Sequence, residues 1–243
     1  MSKRLVDKYQ GNPSRPQKDF GIRPSVLIFQ GLRVGRFGLI VIFDVEGVLV
    51  DGEFLPELAR VVGKQREVTE ITLRGIRGDI EWQEGLRQRM ELLKGVDYEE
   101  CVDVANRLPL MKGALEMSAE LKKMDCIMVG VSGGFSLLTD RVKEELNLDQ
   151  VFSNQLVFHE RRLIGYGLLV NANKTQIMKT AFGSMLDTRK KVAVVDGAND
   201  LELFNIADLK VAFNAQRVVV ERADVSVSKK DLRAIPDLVR KLR

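Results

Sequence analysis

Four short runs along the chain are dominated by apolar, largely β-branched residues: Leu39-Ile40-Val41-Ile42-Phe43, Ile127-Met128-Val129-Gly130-Val131, Val192-Ala193-Val194-Val195 and Lys210-Val211-Ala212-Phe213. A strand with one wet face alternates polar and apolar side chains, whereas continuous apolarity marks a strand covered on both faces, as in a parallel sheet between helix layers. Between these runs lie helix-like segments over 112–124, 135–147, 173–183 and 199–207. Strand and helix in alternation predict an α/β fold, a Rossmann-like doubly wound parallel sheet. From Glu53 to about Leu110 the alternation stops and several helices follow one another with no strand among them. The expected organisation is a core over 39–52 and 111–243, a small helical cap inserted after the first strand over 53–110, and a leader over 1–38.

Charge changes the picture of the leader. Of 38 Lys and Arg and 34 Asp and Glu, residues 1–38 hold eight basic and two acidic, so the other 205 residues carry 30 basic and 32 acidic. The basic balance of the chain belongs to its leader, and the body gives no reason to expect a nucleic-acid partner. The turn-rich Gly11-Asn12-Pro13-Ser14-Arg15-Pro16 reads as a solvated, poorly ordered tail, with Ser25–Phe29 as a candidate short strand. No apolar run approaches the ~20 residues of a membrane span; the longest, Phe37–Val50, is broken by Asp44 and Glu46. Cys101 and Cys126 sit in apolar segments and read as reduced core residues of a cytoplasmic protein.

One His and two Cys exclude a four-ligand zinc site and a disulfide framework. His159, in the charged stretch Phe158-His159-Glu160-Arg161-Arg162, reads as a turn residue and not as the base of a nucleophile triad. Hydrolytic chemistry in this chain then rests on carboxylates and a hard cation. In a parallel sheet the site lies at the carboxyl ends of the strands. There the chain places Asp44 and Glu46 after the first strand, Ser132-Gly133-Gly134 after the second, and Asp196 and Asp200 after the one that follows Lys191. Four acids on one edge repel unless a divalent cation lies among them, which implies Mg²⁺, and such a cation draws a phosphate. The Ser132 hydroxyl, the Gly133 and Gly134 amides at an expected helix start, and a Lys would complete an anion site.

The motifs Asp44-Val45-Glu46-Gly47-Val48, Val131-Ser132-Gly133-Gly134-Phe135, Asn171-Ala172-Asn173-Lys174 and Asp196-Gly197-Ala198-Asn199-Asp200, in this order, resemble the haloacid dehalogenase superfamily and, more narrowly, its phosphoserine phosphatase branch. The resemblance runs from about residue 39 to the C-terminus. It implies a phosphomonoesterase that releases serine and phosphate from O-phosphoserine, the last step of serine biosynthesis, with Asp44 as nucleophile and Glu46 as acid and base. It implies that Ser132, Gly133, Lys174 and Asn199 hold the phosphate. Mg²⁺ would sit on Asp44, the Glu46 backbone carbonyl, Asp196 and Asp200. In the cap, Glu53 matches the residue that meets the substrate ammonium and Arg89 the one that meets its carboxylate. Trp82 and Ile76 match apolar positions that cover the substrate, and helix-core packing would use the same residues.

The chain departs from the pattern at Glu46, where the family has Asp, at Gly47-Val48, where a Ser-Thr pair is usual, and at Val195, where Gly is common. These departures touch the substrate more than the chemistry. They leave two further readings open: the same scaffold acting on another small phosphate, or a catalytically weak regulatory protein that keeps the metal-phosphate site. The expected partner is a small phosphomonoester, with no nucleic acid and no membrane, and the expected state a monomer or homodimer.

Overall fold

The computed structural model describes residues 38–77, 79–171 and 173–242. The leader up to residue 37, with the strand candidate Ser25–Phe29, lies outside these residues, and so does the side chain of Ile76. Among the described residues one sheet contains seven strands in the order β4-β3-β2-β1-β5-β6-β7, all pairs parallel except β3 with β4. The strands are β1 (Ile40–Phe43), β2 (Ile127–Phe135), β3 (Gln150–His159), β4 (Arg162–Gly167), β5 (Lys191–Val195), β6 (Leu209–Phe213) and β7 (Val225–Val227).

Successive residues of a strand point to opposite faces, and the two cores divide accordingly. Val41 and Phe43 of β1, Val192 and Val194 of β5, and Val211 and Phe213 of β6 face one core. Ile40 and Ile42, Ala193 and Val195, and Ala212 face the other. All four side chains of β1 are fully buried, each contributing roughly 1.5–3 kcal/mol of transfer free energy. The continuous apolar runs of the sequence thus have their physical reason in a sheet covered on both sides.

The core on the first face is continued by side chains of α1 (Phe54–Val61), α3 (Trp82–Leu93), α4 (Tyr98–Arg107), α5 (Ala114–Lys123), α6 (Ser136–Glu145) and α10 (Ile235–Leu242), with α2 (Gln65–Arg77) beside α1 and α3. The second is covered by α7 (Lys174–Phe182), α8 (Ser184–Thr188), the 3₁₀ helix Ala198–Asn205 and α9 (Arg217–Val220). Four helices, α1 to α4, follow β1 before the next core helix. The segments entering and leaving them run antiparallel: Asp51 N–H donates to Pro109 O at 3.0 Å and Met111 N–H to Leu49 O at 2.8 Å. The loop between α3 and α4 is held by the β3–β4 hairpin, through Gly95 N–H to Leu163 O at 2.8 Å and Tyr98 N–H to Arg161 O at 2.7 Å.

Several expectations are corrected. The segment expected as a helix over 199–207 is a 3₁₀ helix beginning at Ala198. The hairpin β3–β4 and the short β7 have no counterpart among the elements expected from sequence. His159 ends β3, and the turn beside it is Glu160-Arg161, whose left-handed φ values of 46° and 66° suit a tight hairpin.

Candidate active site

Strand order reverses at β1, which lies between β2 and β5, so the crevice beyond its carboxyl end is the switch point where ligands bind in open α/β sheets. Asp44 follows β1 and keeps the ladder, its N–H donating to Val194 O at 3.1 Å. Asp196 follows β5, and Asp200 sits in the first turn of the 3₁₀ helix. Lys174 opens α7, whose first turn is capped by the Asn173 side chain accepting from Gln176 N–H at 3.0 Å. Lys174, Asp44 and Asp200 are 3%, 6% and 0% exposed. The Lys174 ammonium donates to Asp44 Oδ1 at 2.6 Å and also pairs with Asp200. One oxygen each of Asp44, Asp196 and Asp200 lies within 4.8 Å of the others.

Three carboxylates around one ammonium leave an excess of negative charge in a largely dry place. Burial, and after it the Asp44 charge, pushes Asp196 up to about 8 and Asp200 up to about 7. Burial alone would lower Lys174, but Asp200 and Asp44 outweigh it and hold the ammonium above its ordinary value. The donor set is oxygen only, close enough for a single ion, and short of positive charge: it fits a hard divalent cation.

Glu46 adds a fourth acid. Its Oε1 accepts the N–H of Phe54, the first residue of α1, at 2.6 Å. Burial and then Asp44 raise its carboxyl above the ordinary value, against the Phe54 amide, Arg89 and Lys174. Two glycines make the space. At Gly47, with φ of +82°, a Cβ would stand 2.2 Å from Asp196 Oδ2, and at Gly134 a Cβ would stand 2.1 Å from Glu46 Oε2. Ser132 is 1% exposed, and its Oγ accepts the Gly134 N–H at 2.9 Å. The Gly133-Gly134 pair lies in the last part of β2, not at a helix start, since α6 begins at Ser136.

The remaining expected residues stand around this cluster. Glu53 precedes α1 as its N-terminal cap residue. The protein crowded around its carboxyl, then Glu46, Asp44 and Asp196, push it well above its ordinary value. Arg89 is half-buried on α3, bonds through Nε to Gly85 O at 3.2 Å, and acts electrostatically on both Glu46 and Glu53. Trp82 lies against Gly133, where a Cβ would come 3.2 Å from its ring. Asn199 is exposed and donates through Nδ2 to Asp200 Oδ2 at 2.9 Å. Asn154 of β3 is not among the residues the sequence singles out. It is fully buried and bonds Gly133 O, and its only sequence signal is a polar Ser153-Asn154-Gln155 interrupting an apolar strand.

The chain matches the haloacid dehalogenase-like hydrolase family over residues 39–208. It is 36% identical over 200 residues to a phosphoserine phosphatase of Methanocaldococcus jannaschii, covering 81% of this chain and 95% of that one. It is 40% identical over 197 residues to a phosphoserine phosphatase of Archaeoglobus fulgidus, covering 79% of this chain and 57% of the length of that relative. Among solved structures, a substrate-bound phosphoserine phosphatase complex superposes with a TM-score of 0.78 at 32% identity, covering 84% of this chain and 99% of that one. A phospho-aspartyl intermediate analogue of phosphoserine phosphatase superposes with a TM-score of 0.77 at 32% identity and the same coverage. With fold, crevice and sequence in agreement, the chain belongs to the haloacid dehalogenase-like hydrolases and, within them, to the phosphoserine phosphatase family.

Proposed function

We propose that the protein is a Mg²⁺-dependent phosphomonoesterase that hydrolyses O-phosphoserine through an aspartyl-phosphate on Asp44. The observation that carries this reading is the junction, at the switch point of the sheet, of Asp44 with buried Lys174 and two further carboxylates. The kinship with phosphoserine phosphatases supplies the substrate.

In the first step an Asp44 oxygen attacks phosphorus; its bond to phosphorus forms as the bond to the serine oxygen breaks. Glu46 gives the leaving oxygen a proton, a role favoured by the environment that raises its carboxyl. In the second step Glu46, now a carboxylate, takes a proton from water as the water oxygen displaces Asp44 and phosphate leaves. Ser132, the Gly133 amide, Lys174 and Asn199 hold the phosphoryl oxygens, where negative charge must be stabilised. Asp44, the Glu46 carbonyl, Asp196 and Asp200 would hold Mg²⁺, which supplies positive charge to those oxygens when bound. The helices over 53–110 act as a cap, with Glu53 meeting the substrate ammonium and Arg89 its carboxylate, a planar fork suited to that group. The expected state is a monomer or homodimer. Cys101 and Cys126 are buried thiols, in keeping with a reducing cytoplasm.

The test is phosphate release from a panel of phosphomonoesters with Mg²⁺, using the wild type and Asp44→Asn. The expected result is preference for O-phosphoserine, with turnover abolished in a folded Asp44→Asn. Turnover by that variant overturns the nucleophile, and a wild type that ignores O-phosphoserine in favour of another small phosphate overturns the substrate.

A further inference from the structure

The ladder between β2 and β3 breaks at the phosphate-binding turn. Val131 pairs with Phe152, and the next pair is Phe135 with Asn154, so Ser132, Gly133 and Gly134 bulge out of the sheet. A bulge leaves backbone groups without ladder partners, and a carbonyl shielded from water, as the half-buried Gly133 is in part, cannot be left so without a penalty. Asn154 meets this demand. Its Nδ2 donates to Gly133 O at 2.9 Å, while its Oδ1 accepts the N–H groups of Leu169 and Val170, each at 2.9 Å. Exchanging the amide oxygen and nitrogen would set oxygen against a carbonyl and nitrogen against two donors, so the orientation is dictated by the partners.

These bonds join two separate parts of the proposed phosphate pocket. On one side is the bulge, with the Ser132 hydroxyl and the Gly133 and Gly134 amides. On the other is the segment at Leu169 and Val170, a few residues before Lys174 at the start of α7. We infer that Asn154 is a positioning residue that sets the distance between the Ser132-Gly133-Gly134 bulge and the Lys174 ammonium, and so tunes affinity for the phosphoryl group without touching it. This rests on the reading of the crevice as a phosphatase site. The neighbouring buried pair Thr139 Oγ1 and Ser153 Oγ, 2.6 Å apart, offers a control, because its hydrogen bond joins α6 to β3 and not to a bulge backbone group.

The probe is inorganic phosphate, whose binding to Mg²⁺-loaded protein is measured by calorimetry for wild type, Asn154→Asp and Thr139→Val, beside kcat and KM for O-phosphoserine. Asn154→Asp keeps the two accepted bonds and replaces the donor by an oxygen facing Gly133 O. It should weaken phosphate by roughly tenfold or more, a loss of about 1.4 kcal/mol or more, and lower kcat, while Mg²⁺ affinity stays at the wild-type value. Thr139→Val should lower thermal stability and leave phosphate affinity unchanged. A folded Asn154→Asp with wild-type phosphate affinity overturns the inference, as does a loss matched in Thr139→Val. If Asn154→Asp does not fold, the wild type decides: the Asn154 side-chain amide resonance must move when phosphate is added with Mg²⁺, and one that does not move overturns the inference. A wild type that binds phosphate but does not turn over O-phosphoserine defeats the substrate reading and leaves the positioning role to be judged by these same affinities.

Discussion

Glu46 is one methylene longer than the Asp of the resembling pattern, and the surrounding residues show where that length goes. One carboxylate oxygen caps the first amide of α1 at Phe54, and the other lies over the bare Cα of Gly134. Gly134→Ala would put a Cβ 2.1 Å from Glu46 Oε2, so the carboxylate must move. A displacement on the order of 1 Å at a reacting group can cost about 100-fold. Gly134→Ala should therefore fold with an unchanged circular dichroism spectrum and lose about 100-fold in kcat, and wild-type turnover would show that Glu46 is not held by this contact. Glu46→Gln should lose roughly 10² to 10⁴ in the same assay. On the proposed reading, Arg89→Ala leaves the substrate carboxylate without its partner, a loss of roughly 3 to 5 kcal/mol if the pair is desolvated. kcat/KM for O-phosphoserine should fall by about 100-fold or more, with p-nitrophenyl phosphate, which lacks that carboxylate, almost unaffected. Equal losses on both would make Arg89 a structural residue.

Among the elements, three strands begin in one way. Asp149, Asp208 and Asp224 immediately precede β3, β6 and β7, and each exchanges two bonds with the start of the neighbouring strand. The carboxylates accept from Met128, Lys191 and Lys210 N–H at 2.8, 2.7 and 2.8 Å. The backbone N–H of each Asp donates to the carbonyl of that same residue, at 2.9, 2.8 and 2.9 Å. A one-residue slip would move every side chain of a strand to the wrong core, and these paired bonds oppose it at the outset. Asp149 is the least exposed to water of the three bonds and also pairs with Lys122 at 2.8 Å. Asp149→Ala should lower unfolding free energy by about 1.5–3 kcal/mol in urea titration, and Asp224→Ala, whose bond is exposed, by less. Equal effects of the two would separate this device from burial.

At the scale of the whole molecule, gathering four acids at one sheet edge works against the fold that gathers them. In the metal-free fold, Asp196 at about 8 and Asp200 at about 7 hold protons that the unfolded chain releases near pH 4. Their folded values are raised, so their contribution to stability is fully present below about pH 4 and is lost as pH rises through about 7 to 8. A divalent cation bound by these acids would reverse the loss by favouring the ionised forms. Thermal unfolding with and without Mg²⁺ should show a stabilisation that grows with pH and levels off above about 8. A stabilisation that is flat or shrinks with rising pH would mean that the ion is not bound by this pair.

The sequence alone determined the parts of this protein that depend on local order. Ile40–Phe43 had to be a strand buried on both faces, because nothing in it tolerates water. The acids had to lie at strand ends, because Asp44 and Asp196 follow such runs directly. Tertiary structure decided the rest. The hairpin β3–β4 lies at the sheet edge, where Ser153, Asn154 and Gln155 break the apolar pattern and β4 is half-exposed. β7 is three residues long, too short to carry a period. Lys174 meets Asp44 across 130 residues of chain, and Glu46 meets Gly134 only because β1 and β2 are adjacent. Asn154 gained its place because a bulge in another strand left Gly133 O in need of a donor. Hydrophobic period is a property of neighbours along the chain, whereas the pairing of a buried polar atom depends on which strands the fold sets side by side.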